Sequence, residues 1–215
     1  MIAASQLGTS TPVQLLVLIS LISILPGALL AMTGFTRILI VLGFVRNAIG
    51  TPQIPPNQIV VGIAFFLSLF VMSPTLKQVN DAAIAPYRAH HITEKQALDR
   101  GLEPIRTFMF KQTRTSDLAL FVRLAHERRP KTRADVPTQV LIPAFILSEL
   151  KTAFQIGFLI YLPFLVIDMI VATTLTSMGM MMLPPALISL PFKILLFVLV
   201  DGWHLVVESL MGSFH

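Results

Sequence analysis

Four methionines lie within five residues of one short segment of the chain, Thr176–Pro185, which reads T-S-M-G-M-M-M-L-P-P. Methionine is unbranched and polarisable, so a cluster of methionines forms a deformable apolar surface. Gly179 is suited to a positive φ, and Pro184 and Pro185 cannot continue a helix that arrives from upstream. We predict a sharp turn between two apolar helices. It is either a hairpin tip packed on lipid or protein, or a compliant seal across a passage.

Ionisable side chains interrupt the apolar runs on both sides of this turn. Each would cost about 2.5–3.5 kcal/mol at the centre of a lipid-facing helix, so each must meet a partner, water or an interface. Residues two apart on a helix point in different directions, so neighbouring ionisable groups with this spacing cannot satisfy each other. The five groups are Glu149, Lys151, Asp168, Lys193 and Asp201.

Glu149 and Lys193 lie 32 and 12 residues from Met181, on opposite sides of the turn. At a rise of about 1.5 Å per residue, a straight hairpin would place them about 30 Å apart in level, too far for a direct pair. We therefore expect Glu149 of one subunit to meet Lys193 of the next. Arg37 and Arg46, in the first half of the chain, either lie at a membrane interface or face protein. The expected inter-subunit charges are Glu149, Lys193, Asp168, Asp201, Lys151, Arg37 and Arg46.

The composition indicates an integral membrane protein, because 54% of its 215 residues are hydrophobic and 13% are charged. Residues 77–135 hold 12 Lys and Arg against 7 Asp and Glu, whereas the rest of the chain holds 4 of each. The net charge of +5 therefore belongs to one polar insert. Its bases alternate with acids and no aromatic platform accompanies them, so nucleic acid is not an expected partner. The chain has no cysteine, which excludes disulfides and thiol catalysis.

These patterns predict an all-α, membrane-type protein with about four long hydrophobic helices, some broken or kinked, arranged as hairpins around a small helical insert. The polar leader has no Lys or Arg, so it resembles a mature end or an unusual start rather than a signal peptide. The four expected segments are a leader (1–11), a first hydrophobic helical region (12–74), a soluble helical insert (75–137) and a second hydrophobic hairpin with the methionine loop (138–215).

In the first half, we expect a helix over Pro12–Met32 that is kinked at Pro26-Gly27. A second apolar helix, Ile59–Met72, is closed by Ser73-Pro74. Its 14 residues are short for a lipid span, which favours burial among other subunits.

Within the insert, Thr93 and Gln96 predict a helix-capping box. An apolar face around Leu118, Phe121 and Leu124 predicts a contact layer, because about 60 residues bury such a face poorly alone. Its histidines have no metal-ligand spacing, so we expect no metal site and no cofactor. They are His90, His91 and His126.

Four long stretches resemble the FliP family of flagellar type III export-gate proteins. They are M-T-G-F-T-R-I-L-I-V-L-G-F-V-R-N-A-I-G-T-P-Q-I-P-P-N-Q from Met32, S-E-L-K-T-A-F-Q-I-G-F from Ser148, S-M-G-M-M-M-L-P-P from Ser177 and L-P-F-K-I-L-L-F-V-L-V-D-G-W from Leu190. A further stretch of the insert, R-T-F-M-F-K-Q-T-R-T-S-D-L-A-L-F-V-R-L-A, is closer to flagellar members than to their injectisome relatives.

The resemblance implies a gate subunit that assembles as five copies with FliQ and FliR, beside other membrane proteins of the export apparatus, in the flagellar basal body. It implies a passage for unfolded polypeptides, closed by a gasket of Met180, Met181 and Met182. It also implies a bacterial inner-membrane location with the insert on the periplasmic side. The positive charge of the insert would favour the cytoplasm, but that rule weakens for loops of about 60 residues.

Other classes of protein remain alternatives on the sequence alone. An injectisome homologue would share the architecture. An ion-coupled transporter would also carry intramembrane charges, but it would show repeats that this chain lacks. An intramembrane hydrolase would need a nucleophile–base pair, and Ser148 beside Glu149, without a histidine at matching depth, is a weak candidate. We therefore do not expect an enzyme.

Overall fold

The computed structural model describes residues 29–125, 132–133, 135–180 and 182–214, together with seven isolated positions between residues 15 and 27. Within these residues the structure is helical and contains no strand, which confirms the all-α class. The helix predicted over Pro12–Met32 lies mostly outside them. The described helices are α1 (Phe35–Ile49), α2 (Asn57–Val79), α3 (Ala85–Arg88), α4 (Glu94–Gln112), α5 (Thr115–Leu124), α6 (Thr138–Ser177), α7 (Pro185–Leu199) and α8 (Gly202–Gly212).

Helix α2 does not end at Ser73-Pro74, so the predicted short helix is wrong. It continues to Val79, and a π-helical turn, Asn80–Ile84, joins it to α3 in one apolar segment of 32 residues. Met72 and Thr75 are buried on either side of Pro74. Tertiary packing therefore holds the helix together although proline removes one backbone hydrogen bond. Residue 75, where the sequence places the start of the insert, lies inside this helix.

The insert helices share a core with the apolar helices. Phe108 and Met109 of α4 and Val122 of α5 pack in one cluster with Met72 of α2 and Phe145 of α6. A second cluster lies where α1 meets α2, α6, α7 and α8. The insert thus covers the N-terminal part of α6 as a contact layer rather than forming a core of its own.

Local signals in the insert are partly confirmed. Thr93 Oγ1 accepts a hydrogen bond from the Gln96 amide, and Gln96 Oε1 accepts one from the Thr93 amide, so the capping box is present. On α5, Leu118 and Phe121 are half-buried against the insert core, whereas Leu124 is exposed, so the predicted face is wrong at Leu124. The physical reason is position along the helix, because Leu124 is the last residue of α5 and lies about 10 Å from Asp117, whose buried carboxylate holds α5 on α6.

Helix α6 is 40 residues long, about 60 Å at 1.5 Å per residue, and is the axis of the molecule. Arg37 and Phe44 of α1 meet Glu149 and Gly157 of α6 in the same order, so the two helices run parallel. Phe44 lies on Gly157 so closely that a Cβ there would stand 2.5 Å from its ring. Helix α7 returns antiparallel to α6 after the methionine turn.

Within the described residues, two segments, 57–88 and α6, are long and apolar enough to cross a membrane. Helices α7 and α8 form a third candidate if they count as one span, and they are bent by 65°. Asp201 stands at the bend with a φ of 50°, and the following Gly202 lies against Phe197, where a Cβ would be 2.3 Å from the ring. These segments confirm a membrane-type protein with kinked apolar helices.

Candidate functional site

The methionine turn at the end of α6 has a defined backbone. Gly179 has the predicted positive φ, 76°. The Met180 amide donates to the Leu175 carbonyl at 2.9 Å, and the Gly179 amide donates to the Thr176 carbonyl at 3.0 Å. This pair of hydrogen bonds is the Schellman ending of a helix, which places a glycine where the chain turns left-handed. On the far side, Pro185 opens α7, where its missing amide costs nothing.

The described methionine side chains of this turn are exposed. Met178, Met180 and Met182 are 62%, 43% and 98% exposed. The third gasket residue, Met181, lies outside the described residues. Contiguous exposed apolar surface is typical of contacts with protein, lipid or ligand, and the described residues leave these methionines uncovered.

The first ion pair is buried between α1 and α6. Arg37 and Glu149 are 1% and 0% exposed, and their side chains form a two-pronged contact, in which Arg37 Nε donates to Glu149 Oε2 at 2.9 Å. Arg37 also donates to the Ser213 carbonyl at 2.7 Å and to Gln112 Oε1 at 2.9 Å. The Phe214 ring covers the guanidinium at 4.0 Å. One arginine therefore ties α1 and α6 to α4 of the insert and to the residues after α8.

A second ion pair joins the two arms of the hairpin. Lys193 of α7 donates to Asp168 of α6 at 2.5 Å, and Ser189 Oγ donates to the other oxygen of the same carboxylate at 2.5 Å. Lys193 and Ser189 are buried, whereas Asp168 is about 29% exposed. This pair sets the register of α7 on α6 next to the methionine turn.

A third ion pair holds the insert on α6. The buried Asp117 carboxylate accepts a hydrogen bond from Lys151 and another from Ser148 Oγ at 2.8 Å. Arg114 lies next to this cluster, and its amide donates to Ser148 Oγ at 3.0 Å. Burial raises the pKa of Asp117, but the hydrogen bonds and the nearby charges of Lys151 and Arg114 outweigh it and leave the pKa below its usual value.

These pairs correct the premise that the charges need partners from other subunits. Glu149 and Lys193 each have an opposite charge within their own chain, so the reason for expecting a pair between them is removed. The partner of Glu149 comes from α1, outside the hairpin that α6 forms with α7. As predicted, Glu149 and Lys151 do not pair with each other. Each of the three pairs has one member on α6.

Two of the expected charges have no ion pair within the described part of the chain. Arg46 donates to Asn57 Oδ1 at 2.6 Å and to the Pro55 carbonyl at 3.3 Å, and its buried Nε makes no hydrogen bond. Asp201 is exposed at the bend between α7 and α8.

Sequence reasoning did not identify the residues that surround or complete these ion pairs, which are Gln112, Arg114, Asp117, Ser189, Ser213 and Phe214. A signal was available for Ser189, because a polar side chain that is buried within an apolar run needs a hydrogen-bond partner. No comparable signal marks Gln112 or Ser213, which meet Arg37 only through the fold.

The buried charged side chains of this region join helices to one another. Ser148 is fully buried and donates to Asp117, so its hydroxyl is closed to a substrate. Among the described residues, no group of three His, Asp, Glu or Cys side chains could hold a metal ion. His90 and His91 are exposed after α3, and His126 lies outside the described residues.

Long apolar helices locked by buried ion pairs, with an apolar turn exposed at a hairpin tip, define a helical membrane protein built to contact further surfaces. The FliP family profile matches residues 18–210. The chain is 54% identical over 207 residues to flagellar biosynthetic protein FliP of Bacillus subtilis (strain 168), which covers 96% of this chain and 94% of that protein.

Two further relatives bear the same name. The one from Pectobacterium carotovorum subsp. carotovorum is 56% identical over 203 residues, 94% of this chain and 79% of that protein. The one from Aquifex aeolicus (strain VF5) is 45% identical over 204 residues, 94% of this chain and 85% of that protein. The chain therefore belongs to the FliP family.

Proposed function

We propose that this chain is a core subunit of a flagellar type III protein export gate. In this proposal five copies, together with FliQ and FliR and beside other membrane proteins of the export apparatus, enclose a passage for unfolded polypeptides. The names of the relatives support the flagellar assignment. The role of the chain is to form and seal the passage, not to catalyse a reaction.

The observation that carries the proposal is the exposure of the methionine turn. A methionine that only filled a gap in the core would be buried, yet Met182 is 98% exposed at the tip of α6 and α7. Copies arranged around an axis would bring these turns together. There Met180, Met181 and Met182 would close the passage and, being flexible, yield to a moving chain.

The backbone on both sides suits a seal that deforms without unfolding. The Schellman ending at Gly179 holds the α6 side, Pro184 and Pro185 fix the α7 side, and the ion pair of Lys193 with Asp168 braces the two arms. The adjustable part is thereby confined to methionine side chains. Gly179 on one side and Pro184 and Pro185 on the other thus form the two ends of the gate loop.

Self-association is supported by large exposed apolar side chains along the shafts. They include Phe66 and Phe70 on α2 and Val198 and Leu199 on α7, all at least 68% exposed. We place the assembly in the bacterial inner membrane with the insert on the periplasmic side. Because the chain has no cysteine, labelling of Leu98→Cys by an impermeant thiol reagent tests that side, and labelling only from the cytoplasm would contradict it.

The seal is tested by replacing Met180, Met181 and Met182 with Ala in cells that express the complete apparatus. Membranes should become permeable to small ions and solutes while the assembled particle keeps its mass. Two controls isolate the cause: a triple Leu variant, which keeps apolar volume, and Met169→Ala, on the exposed shaft of α6. Tight membranes around a fully assembled triple Ala particle would show that the turn only packs.

A further inference from the structure

Arg46, near the end of α1, is a cation in an apolar part of the chain that the described residues leave without an opposite charge. Its Nη1 donates to Asn57 and to the Pro55 carbonyl, both uncharged, while its buried Nε makes no hydrogen bond to any residue that the structure describes. A guanidinium keeps its charge in every protein environment, so it cannot escape the cost by losing a proton. Arg46 is half-buried, so a carboxylate from outside can reach the accessible part of its guanidinium and compensate the charge.

The carboxylates in the apolar segments of the chain include some that, like Arg46, have no opposite charge among the described residues. Outside residues 77–135 there are four of them, and Glu149 and Asp168 are paired. The other two, Asp201 and Glu208, are exposed and have no ion pair among the described residues. Asp201 is held at the bend by its positive φ and makes no capping hydrogen bond to α8.

Arg46 and Asp201 stand at nearly the same level along α6. Arg46 is two residues beyond Phe44, which contacts Gly157, so it lies about 3 Å above that contact at 1.5 Å per residue. Phe164 is seven residues beyond Gly157 and meets Phe197 of the returning α7. Asp201, four residues further along the returning chain, therefore lies about 4–5 Å above the Gly157 level.

Glu208 fits less well. Helix α8 turns away from α7 by 65° and carries Glu208 about 10 Å further from the bend. Because of the bend, only about 4 Å of this displacement runs along α7 and the rest is sideways, so Glu208 differs from Asp201 mainly in its lateral position. Asp201, whose backbone is held at the bend itself, is therefore the anion that we assign to Arg46.

We infer that Arg46 of one copy binds Asp201 of a second copy, as a charged contact between adjacent subunits. This inference rests on the self-association in the proposed function and names residues that carry it. A heterologous contact of this kind, with different surfaces on the two partners, repeats around an axis without using the same patch twice. Charge complementarity selects a second copy, since each copy supplies both the unmatched cation and the unmatched anion.

The test uses the absence of cysteine in the chain. Two differently tagged versions, one with Arg46→Cys and one with Asp201→Cys, are expressed together with the export-apparatus proteins and treated in membranes with a short bis-maleimide. We expect a covalent dimer that carries both tags. In matched controls, Arg46→Cys paired with Glu208→Cys or with Glu94→Cys should give at least about tenfold less dimer, because a short linker requires neighbouring residues.

Charge reversal gives a second readout. Arg46→Asp and Asp201→Arg should each lower the yield of assembled particle by about tenfold or more, and the combined variant should recover most of that loss, because swapping the charges restores the attraction. The assignment would be overturned if the combined variant recovered none of the lost particle yield. It would also be overturned if Arg46→Cys formed as much dimer with Glu208→Cys as with Asp201→Cys. If the unaltered chain assembles and Arg46→Cys never joins Asp201→Cys, the inference is wrong while the proposed function stands. If the unaltered chain does not self-associate, the proposed function itself fails.

Discussion

Replacing Glu149 by Gln tests the Arg37 junction with the smallest possible change of shape. The substitution keeps the side-chain size and one acceptor oxygen but removes the negative charge opposite a guanidinium that is 1% exposed. Breaking a buried ion pair by removing one partner costs about 3–5 kcal/mol, because the remaining charge stays buried without compensation. Since native proteins are stable by only about 5–15 kcal/mol, we expect a large loss of folded protein.

The same site predicts a milder double variant. Arg37→Met with Glu149→Leu removes both charges and replaces them by apolar side chains of similar length, an exchange that is often nearly neutral for buried pairs. Here it also leaves Gln112 Oε1 and the Ser213 carbonyl without their donor, at about 1 kcal/mol each. The double variant should therefore lose about 2 kcal/mol, less than Glu149→Gln alone.

The assay is denaturant unfolding of the detergent-solubilised chain, followed by the fluorescence of the single tryptophan, Trp203. The matched control is Glu103→Gln, which removes a carboxylate that is 72% exposed and lies 3.9 Å from Arg106. Exposed pairs contribute about 0–1 kcal/mol, so this control should unfold like the unaltered chain. A Glu149→Gln cost below 1 kcal/mol, equal to that of the control, would refute the buried junction.

Two further predictions concern the helices around α6. The lowered pKa of Asp117 means that its pairing stabilises the fold above the unfolded pKa of about 4 and is lost as pH falls through the folded pKa. Asp117→Asn should therefore unfold more easily at pH 7, by about 1.5 kcal/mol for a charged hydrogen bond, with a difference that shrinks below about pH 4. A difference of the same size at pH 7 and pH 3, or one matched by the exposed Asp99→Asn, would contradict this. Gly157→Ala should lower the free energy of unfolding by about 1–3 kcal/mol, because the added methyl group overlaps Phe44. The control Gly62→Ala, whose new methyl group meets nothing nearby, should be neutral or mildly stabilising. Equal shifts of the two unfolding curves would show that α1 and α6 do not approach this closely.

Local chemistry made the methionine turn predictable. Gly179 adopts a positive φ because only glycine does so without strain, and proline ends a helix from upstream by its own geometry. The capping box at Thr93 was visible for the same reason, since both of its hydrogen bonds lie within four residues. Such features depend on neighbours in sequence and need no knowledge of the fold.

Long-range packing explains why the end of α2 and the partner of Glu149 were not predicted from the sequence. Pro74 looked like a helix end, but burial of Met72 and Thr75 keeps α2 continuous. Glu149 looked unpaired within its hairpin because its partner, Arg37, lies 112 residues away on a helix whose parallel course no local pattern reveals. Four of the five charges beside the methionine turn do form an ion pair, but which partner each one meets is a property of the assembled core.

These outcomes give α6 a structural role that the sequence alone did not show. It carries one member of each of the three pairs, to Arg37 on α1, Asp117 on α5 and Lys193 on α7. A rigid α6 would hold the methionine turn at a fixed position while the rest of the chain contacts other subunits. The mobility required of a seal is then left to the methionine side chains.

The seal is measured most directly as an electrical current through the purified assembled particle in a planar bilayer. The unaltered particle and the triple Leu variant at Met180–Met182 should stay closed to ions, whereas the triple Ala variant should conduct steadily at the same particle mass. A closed triple Ala particle of unchanged mass, or an unaltered particle that conducts as freely as the triple Ala variant, would contradict a seal made by these methionines.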